Sequence, residues 1–281
     1  METARVDHKG ALKLNTETVT KLLVQFIKDE TLNAGFSKGV IGVSGGVDSS
    51  VSLYLTIKAL GKANTRAVIM PYRTSDPQSL KDAELVVKEL GIRQETVDIT
   101  AMVDAYCDKV KIADKVRRGN IMARMRMVVL YDASARENAL VIGTSNKTEA
   151  LLGYGTLYGD TACAINPIGD LYKTQVWQIG EAIGVPKRII DKKPTADLWA
   201  GQTDEGELGF TYKDVDRLLF QMIDERRTDE ELREMGFSKP FIRKVRSLVR
   251  KNQFKRRLPV IAKVSYRTLN VDFRYVRDWG I

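Results

Sequence analysis

The stretch Val40-Ile41-Gly42-Val43-Ser44-Gly45-Gly46-Val47-Asp48-Ser49-Ser50 decides how the rest of the chain folds. Its apolar beginning, bounded by glycine, has the character of a buried strand. The run stops at Ser44-Gly45-Gly46, where two glycines let the backbone turn tightly and come close to a ligand. Asp48 and Ser49 then open a helix that runs to Leu60 and is closed by Gly61. A strand, a glycine turn and a helix N-terminus make an anion site, because free N–H groups and the positive end of the helix dipole face outward together. A Walker phosphate loop would end in Gly-Lys-Ser/Thr, yet no lysine follows these glycines and Asp48 stands there instead. A carboxylate beside a polyphosphate implies a divalent cation between the two. The stretch therefore reads as a magnesium–nucleotide site of a non-Walker kind.

Working outward, short apolar strands alternate with amphipathic helices. A leading helix over Asn15–Leu32 sets Val19, Leu22, Leu23, Phe26 and Ile27 at helical spacing. Further strands are expected at Arg66–Met70, Thr96–Ile99 and Ala139–Ile142. Helices are expected from Pro77 to Leu90, Met102 to Val110 and Gly119 to Arg136. The alternation predicts an α/β fold, a doubly wound parallel sheet with helices on both faces. Ligands of such sheets bind beyond the carboxyl ends of the strands, where Ser44-Gly45-Gly46 and Gly143-Thr144-Ser145 both fall. From Leu151 to Gly209 the chain is irregular apart from a helix at Lys173–Ile183, and irregular lengths of this kind carry function or motion. Helices resume at Tyr212–Arg227, Asp229–Met235 and Lys239–Lys251. A single domain over residues 1–281 is expected, with a sheet core of about 15–190 and a helical C-terminal extension of about 210–281.

Forty-five lysines and arginines against 36 aspartates and glutamates leave a net charge of +9. That balance admits nucleic acid but equally small polyanions such as nucleotides. The clusters Lys115-Val116-Arg117-Arg118, Arg226-Arg227 and Lys255-Arg256-Arg257 lack the interleaved aromatics of a single-strand track, so no nucleic-acid partner is expected. No run approaches the roughly 18 apolar residues of a membrane span. The N-terminus Met1-Glu2-Thr3-Ala4-Arg5 lacks the apolar core of a secretion signal, which makes the cytoplasm the expected location. Two cysteines, Cys107 and Cys163, build neither a disulfide framework nor a zinc site. The single histidine, His8, leaves histidine triads unsupported.

Several stretches can carry chemistry. In Gly119-Asn120-Ile121-Met122-Ala123-Arg124-Met125-Arg126-Met127, read as a helix start, Asn120 and Arg124 share a face beside the apolar stripe of Ile121, Met125 and Val128. Arg124 either pairs with an acid or holds a substrate phosphate or carboxylate. Gly143-Thr144-Ser145-Asn146-Lys147-Thr148-Glu149 follows a strand; its closing acid suits a second metal or nucleotide contact, or merely the first turn of a helix. Gly153-Tyr154-Gly155-Thr156-Leu157-Tyr158-Gly159-Asp160 is no dinucleotide fingerprint, since the third glycine and the preceding strand are missing. Lys173 opens a helix as a phosphate partner or as an ordinary exposed lysine. Gly201 to Gly209 reads as a mobile lid or an inert surface loop.

Together these blocks resemble the NAD synthetases of the ATP-pyrophosphatase, or PP-loop, superfamily. Ser44-Gly45-Gly46-Val47-Asp48-Ser49 is similar to the superfamily's Ser-Gly-Gly-x-Asp-Ser signature, which names the class and not the substrate. Gly119-Asn120 with Arg124, Gly143 to Lys147 with Glu149, Gly153-Tyr154-Gly155 with Gly159-Asp160, Asn166-Pro167, Lys173, Lys193-Pro194-Thr195-Ala196-Asp197-Leu198 and Thr203-Asp204-Glu205 with Leu208-Gly209 narrow the choice. The resemblance spans Thr18 to Pro259.

The resemblance implies an adenine nucleotide alpha hydrolase-like fold and a reaction. The nicotinate carboxylate of deamido-NAD+ attacks the α-phosphate of ATP, giving an adenylate and pyrophosphate, and ammonia then displaces AMP to leave NAD+. It implies that Gly42, Val43, Ser44, Gly45, Gly46, Val47, Asp48 and Ser49 hold the ATP phosphates, with Thr144, Lys173 and Thr195 also contacting ATP. Asp48 and Glu149 would bind Mg2+, Asp48 and Lys173 would serve catalysis, and Arg124 would contact deamido-NAD+. Thr203 to Gly209 resembles the family's mobile loop. Three positions depart from the common pattern: Leu157 replaces a lysine, Ala164 an aspartate, and Phe254-Lys255 a His-Lys pair. Asp160 and Lys255 are the candidates for the remaining polar contacts to the dinucleotide. A chain of 281 residues has no room for a glutaminase domain, so free ammonia is the expected donor. A homodimer is expected by the same resemblance. A tRNA-modifying PP-loop enzyme would need cysteine pairs or an RNA-binding domain, and a mere nucleotide-binding protein would not explain two separated acids with an acidic loop.

Overall fold

The structure, a computed structural model, describes residues 12–199 and 201–268; His8 lies outside the described residues. Four parallel strands, β1 (Gly39–Gly42), β2 (Thr65–Ile69), β3 (Arg93–Thr96) and β4 (Leu140–Val141), form a sheet in the order β3-β2-β1-β4. Ile41 lies opposite Ala67, and Gly39 opposite both Thr65 and Leu140. Successive side chains of a strand face opposite ways, and the apolar residues are divided accordingly. Ile41, Val43, Ala67 and Ile69 pack with α1 (Thr16–Asn33), α2 (Val47–Leu60) and the later helix α7 (Lys173–Ile183). Val40, Val68 and Met70 pack on the other side with α4 (Thr100–Lys109) and α5 (Lys115–Glu137). Strands buried on both faces read as continuous apolar runs, which is why β1 and β2 stand out in the sequence.

The chain winds outward through β1, α2, β2, α3 (Pro77–Leu90) and β3, then returns through α4 and α5 to place β4 beside β1. That reversal opens a crevice beyond the carboxyl ends of β1 and β4.

Several boundaries differ from expectation, and two of them bear on the site. The third strand is Arg93–Thr96 rather than Thr96–Ile99. It is an edge strand whose polar residues are held by ion pairs, Glu95 accepting from both Arg66 and Arg136, so it lacks an apolar signature. Backbone bonding nonetheless continues from Val97 to Ile69 and from Ile99 to Pro71. Helix α5 starts at Lys115, capped by the Asp114 side chain 2.6 Å from the Arg117 N–H, so Gly119 lies inside it rather than at its start.

Beyond β4 come α6 (Lys147–Leu152), α7, and the short helices α8 (Lys187–Ile190) and α9 (Asp204–Leu208). Then α10 (Tyr212–Leu219) continues into a π-helical turn at Phe220–Asp224, followed by α11 (Asp229–Glu234) and α12 (Lys239–Lys251). Val215, Leu218, Leu219, Leu232, Ile242 and Val245 bury their side chains against Leu152 and Tyr172. Each is worth about 1.5–3 kcal/mol, well above the half-exposed Arg227–Glu231 pair on the same layer. Among the described residues no helix is long and apolar enough to cross a membrane.

Candidate active site

The crevice is a cleft of about 600 Å3 at the carboxyl ends of β1, β2 and β4. Of the residues given ATP, metal or dinucleotide roles from the sequence, all but Gly45 and Arg124 line it. Gly45 stands behind the turn. Its φ is +76°, and a β-carbon there would lie 2.2 Å from the Ser79 carbonyl oxygen, so only glycine fits. The turn is tied by Ser49, whose Oγ accepts from the Ser44 N–H at 3.3 Å and donates to the Gly46 carbonyl at 3.1 Å. The Gly46 N–H reaches Ser44 Oγ at 3.4 Å. These donors make long bonds that phosphate oxygens would improve.

The first turns of three helices converge on one ammonium. Lys173 Nζ, its side chain 3% exposed, donates to Asp48 Oδ2 and lies 3.4 Å from Glu149 Oε1. Asn146 ties the two acids together: its Nδ2 donates to Asp48 Oδ1 at 2.9 Å, and it caps α6 reciprocally with Glu149. The capping pattern Asn-x-x-Glu was legible, but only the fold brings Asp48 to it. Asp204, 4% exposed at the start of α9, adds a third carboxylate, held by the hydroxyls of Tyr212 and Tyr154 at 3.0 Å each. Tyr154 also reaches Glu207 at 2.7 Å. The segment read as a lid or a surface loop is thus folded onto the site.

Burial opposes the charge on Lys173, but Asp48 and Glu149 hold its pKa above that of an ordinary lysine. Burial, and then the neighbouring Asp48 charge, push Glu149 up to about 8. Three carboxyl groups, Asp48, Glu149 and Asp204, thus share one ammonium in a low-dielectric place, and burial and crowding favour the protonated form of Glu149. Among the described residues no group of three or more ligating side chains gathers as a metal cage. Mg2+ is held by one or two carboxylates together with substrate phosphates, and the oxygens of Asp48 and Glu149 fit that demand.

The Glu149 shift yields a stability expectation. Between the ordinary carboxylate pKa and about 8, the folded protein binds a proton that the unfolded chain has lost, so this group lowers stability as pH rises through that window. Glu149→Gln removes the cost. In chelator, its Tm should match the parent near pH 5 and exceed it by about 5 °C at pH 8.5. A Tm gap that does not widen with pH would place the charge elsewhere.

The two arginines of the Gly119–Met127 segment lie differently. Arg124 donates to the Leu157 carbonyl at 3.2 Å and stays off the cleft, whereas Arg126 lines it, anchored on the Met70 carbonyl at 3.1 Å. Lys192, not singled out from the sequence, also lines the cleft and bonds Asp82 and Ser79 at 3.0 Å each. Asp160 accepts from the Thr156 N–H at 2.7 Å, and Lys255 Nζ donates to the Gly153 and Gly155 carbonyls at 2.8 Å. Leu157, Ala164 and Phe254 all lie off the cleft lining.

Comparison with known proteins agrees with this geometry. The family model described as NAD synthase matches residues 19–259. The NH3-dependent NAD+ synthetase of Trichlorobacter lovleyi is 58% identical over 269 residues, 96% of this chain and 98% of the relative. Among solved structures, the NMN synthetase of Francisella tularensis superimposes with a TM-score of 0.80 at 33% identity, covering 89% of this chain and 99% of its own. The NH3-dependent NAD synthetase of Campylobacter jejuni gives 0.77 at 33%, covering 89% and 100%. On a match that takes in the sheet, the cleft and the helical layer, the chain belongs to the NAD synthase family.

Proposed function

We propose that the chain is a ligase that forms a carbon–nitrogen bond, amidating deamido-NAD+ with ammonia, driven by ATP, in the step that yields NAD+. The observation that carries this is the convergence of Asp48, Glu149 and Lys173 beside a glycine turn at the sheet's switch point. Membership of the family, and 58% identity to an NH3-dependent NAD+ synthetase, support the substrates.

A carboxylate is a poor acyl donor until its oxygen becomes a good leaving group. A nicotinate oxygen attacks the α-phosphorus, the bond to the β-phosphate oxygen breaks, and pyrophosphate leaves. The lone pair of ammonia then attacks the carbonyl carbon of the adenylate, AMP departs, and a proton is released. The protein's part is positioning and charge neutralisation. The N–H groups of Ser44 and Gly46 with Ser49 Oγ cradle phosphate oxygens, and Lys173 and Lys192 face the cradle as cations. Thr144 and Thr195, both on the cleft, contact the nucleotide. Asp48 and Glu149 would hold Mg2+, which when bound offsets phosphate charge. Asp160 and Lys255 border the dinucleotide side, and Arg126 takes the inward place expected of Arg124. Asp204, drawn in by two tyrosines, closes the site against water.

A homodimer working in the cytoplasm completes the reading. Exposed Val116, Val128 and Tyr131 on α5 offer an apolar face to a second copy. A monomer mass in light scattering at an active concentration would contradict it. The reaction itself is tested by measuring pyrophosphate, AMP and NAD+ with ATP, Mg2+, ammonium and deamido-NAD+, omitting each in turn. Nicotinate mononucleotide in place of the dinucleotide tests the activity named for the Francisella protein. Glutamine in place of ammonium tests the nitrogen donor. Pyrophosphate release that needs both acceptor and ATP is expected; release independent of any nicotinate acceptor would overturn the function.

A further inference from the structure

Asp216, on α10 of the helical layer, is fully buried. Its Oδ1 accepts from the Thr148 hydroxyl at 2.6 Å, and its Oδ2 accepts from the Thr174 N–H at 2.8 Å. Thr148 Oγ in turn accepts from the Lys173 N–H at 3.0 Å. One carboxylate therefore clamps the first turn of α6 to the first turn of α7. Those turns carry Glu149 and Lys173, each adjacent in sequence to a clamped residue. Nothing in the cleft touches Asp216, so a substrate contact is not its use.

A buried carboxylate with two short partners is costly to place, and apolar residues of similar volume fill such a position with equal or better stability. What the carboxylate supplies that an apolar side chain does not is a fixed separation between two helix starts. The site needs that separation, because Lys173 Nζ must face Asp48 and Glu149 at once. The π-helical turn that follows adds an outer brace on the same two starts. Asp224 there accepts from Lys147 Nζ at 2.7 Å and from the Tyr172 hydroxyl. A widened turn of this kind re-aims side chains that a regular helix would point elsewhere.

We propose that Asp216 is a positioning residue for the amidation reaction: acting through Thr148 and the α7 N-terminus, it sets the placement of Lys173 against Asp48 and Glu149. The inference rests on the ligase reading above. On it, the helical layer is part of the catalytic machinery rather than an appended cover. Displacement of a reacting group by about 1 Å costs on the order of 10²-fold in rate, which sets the scale.

The test uses Asp216→Asn, Thr148→Val and Thr148→Ser in the full chain, with wild type alongside. Asn leaves one acceptor where two donors point, and Val removes the hydroxyl at constant shape. Ser restores the hydroxyl. Expected are a kcat lowered about 30- to 100-fold in D216N and T148V, a KM for deamido-NAD+ within about threefold of wild type, and near wild-type kcat in T148S. The double variant D216N/T148V should be no worse than either single, because one chain of bonds is broken in each. Bound ATP measured by calorimetry gives a readout independent of turnover, and its affinity should change by less than about tenfold. If D216N does not fold, the T148V/T148S pair decides. A Tm that falls while kcat per folded molecule stays within threefold overturns the proposal, leaving Asp216 a structural brace. An inactive wild type, by contrast, overturns the ligase reading and not the geometry of the clamp.

Discussion

Asp48→Asn is expected to lower turnover by about 10³-fold at saturating substrates while the fold is kept. The fold survives because the substitution is nearly isosteric and its surroundings adapt. Asn146 Nδ2, now 2.9 Å from Oδ1, keeps an oxygen to donate to, and Lys173 keeps Glu149 at 3.4 Å. The new amide nitrogen meets the Lys173 ammonium, a donor facing a donor, so a modest stability loss accompanies the change. The removal of the Asp48 charge also takes away one of the three causes that hold Glu149 near 8, the others being burial and Asp204, and Glu149 should titrate closer to an ordinary carboxylate. Catalysis fares differently. The turn offers N–H groups and hydroxyls to a polyphosphate but no lysine of its own; beyond Lys173 and Lys192, which come from elsewhere, a divalent ion held by Asp48 and Glu149 would add the charge that a polyphosphate demands. An amide at position 48 leaves Glu149 to hold it alone. The measurement is NAD+ formation across a Mg2+ titration, with circular dichroism to verify the fold. Turnover within about tenfold of wild type at ordinary Mg2+ would take Asp48 out of the mechanism.

How much of this was legible beforehand follows from where the physics is local. The strand, the glycine turn and the helix start at Val40–Ser50 are dictated by neighbouring residues. A φ of +76° at Gly45 and a carboxylate in the first turn of α2 leave traces in the sequence itself. That the sheet is parallel follows from the alternation of apolar runs with helices, whereas the order β3-β2-β1-β4 comes from the fold itself. The edge strand β3 escaped because its partners, Arg66 and Arg136, come from elsewhere and leave no periodic signal. Arg124 and Arg126 are two apart on one helix and so point to nearly opposite sides; both have small or apolar neighbours, Ala123 and Met125 for the one and Met125 and Met127 for the other, and only the packing of α5 against Met70 decides which one enters the cleft. Asp204 and Asp216 look in sequence like solvated acids of ordinary helices. They are buried because Tyr154 and Thr148 reach them from distant segments, with Tyr212 closing on Asp204 from the next helix, a fact no local pattern contains.

Lys173→Met is expected to abolish turnover, by about 10³-fold or more, and in this case stability should fall as well. Among the described residues its ammonium is the one cation bonded to both Asp48 and Glu149, and it faces the Tyr212 ring at 5.1 Å. Methionine fills the space but leaves Asp48, Glu149 and Asp204 opposed across a buried pocket. Breaking a buried ion pair from one side costs about 3–5 kcal/mol, which for a chain of this size lowers Tm by roughly 10 °C. The pH dependence has a definite sign. Loss of the lysine charge raises the carboxyl pKa values further, since Lys173 lowers those of both Glu149 and Asp204. The variant's deficit should thus be full near pH 8.5 and shrink as the acids take up protons towards pH 5. Millimolar Mg2+ should do the same at pH 8, because a divalent ion held by Asp48 and Glu149 would relieve the repulsion that methionine created. Stability restored without activity restored is the expected pair of results, and it would separate neutralising the acids, which an ion can take over, from the proposed presentation of an ammonium to the transferring phosphate, which an ion cannot take over. Turnover that returns together with Tm on addition of Mg2+ would show that Lys173 only neutralises its neighbours.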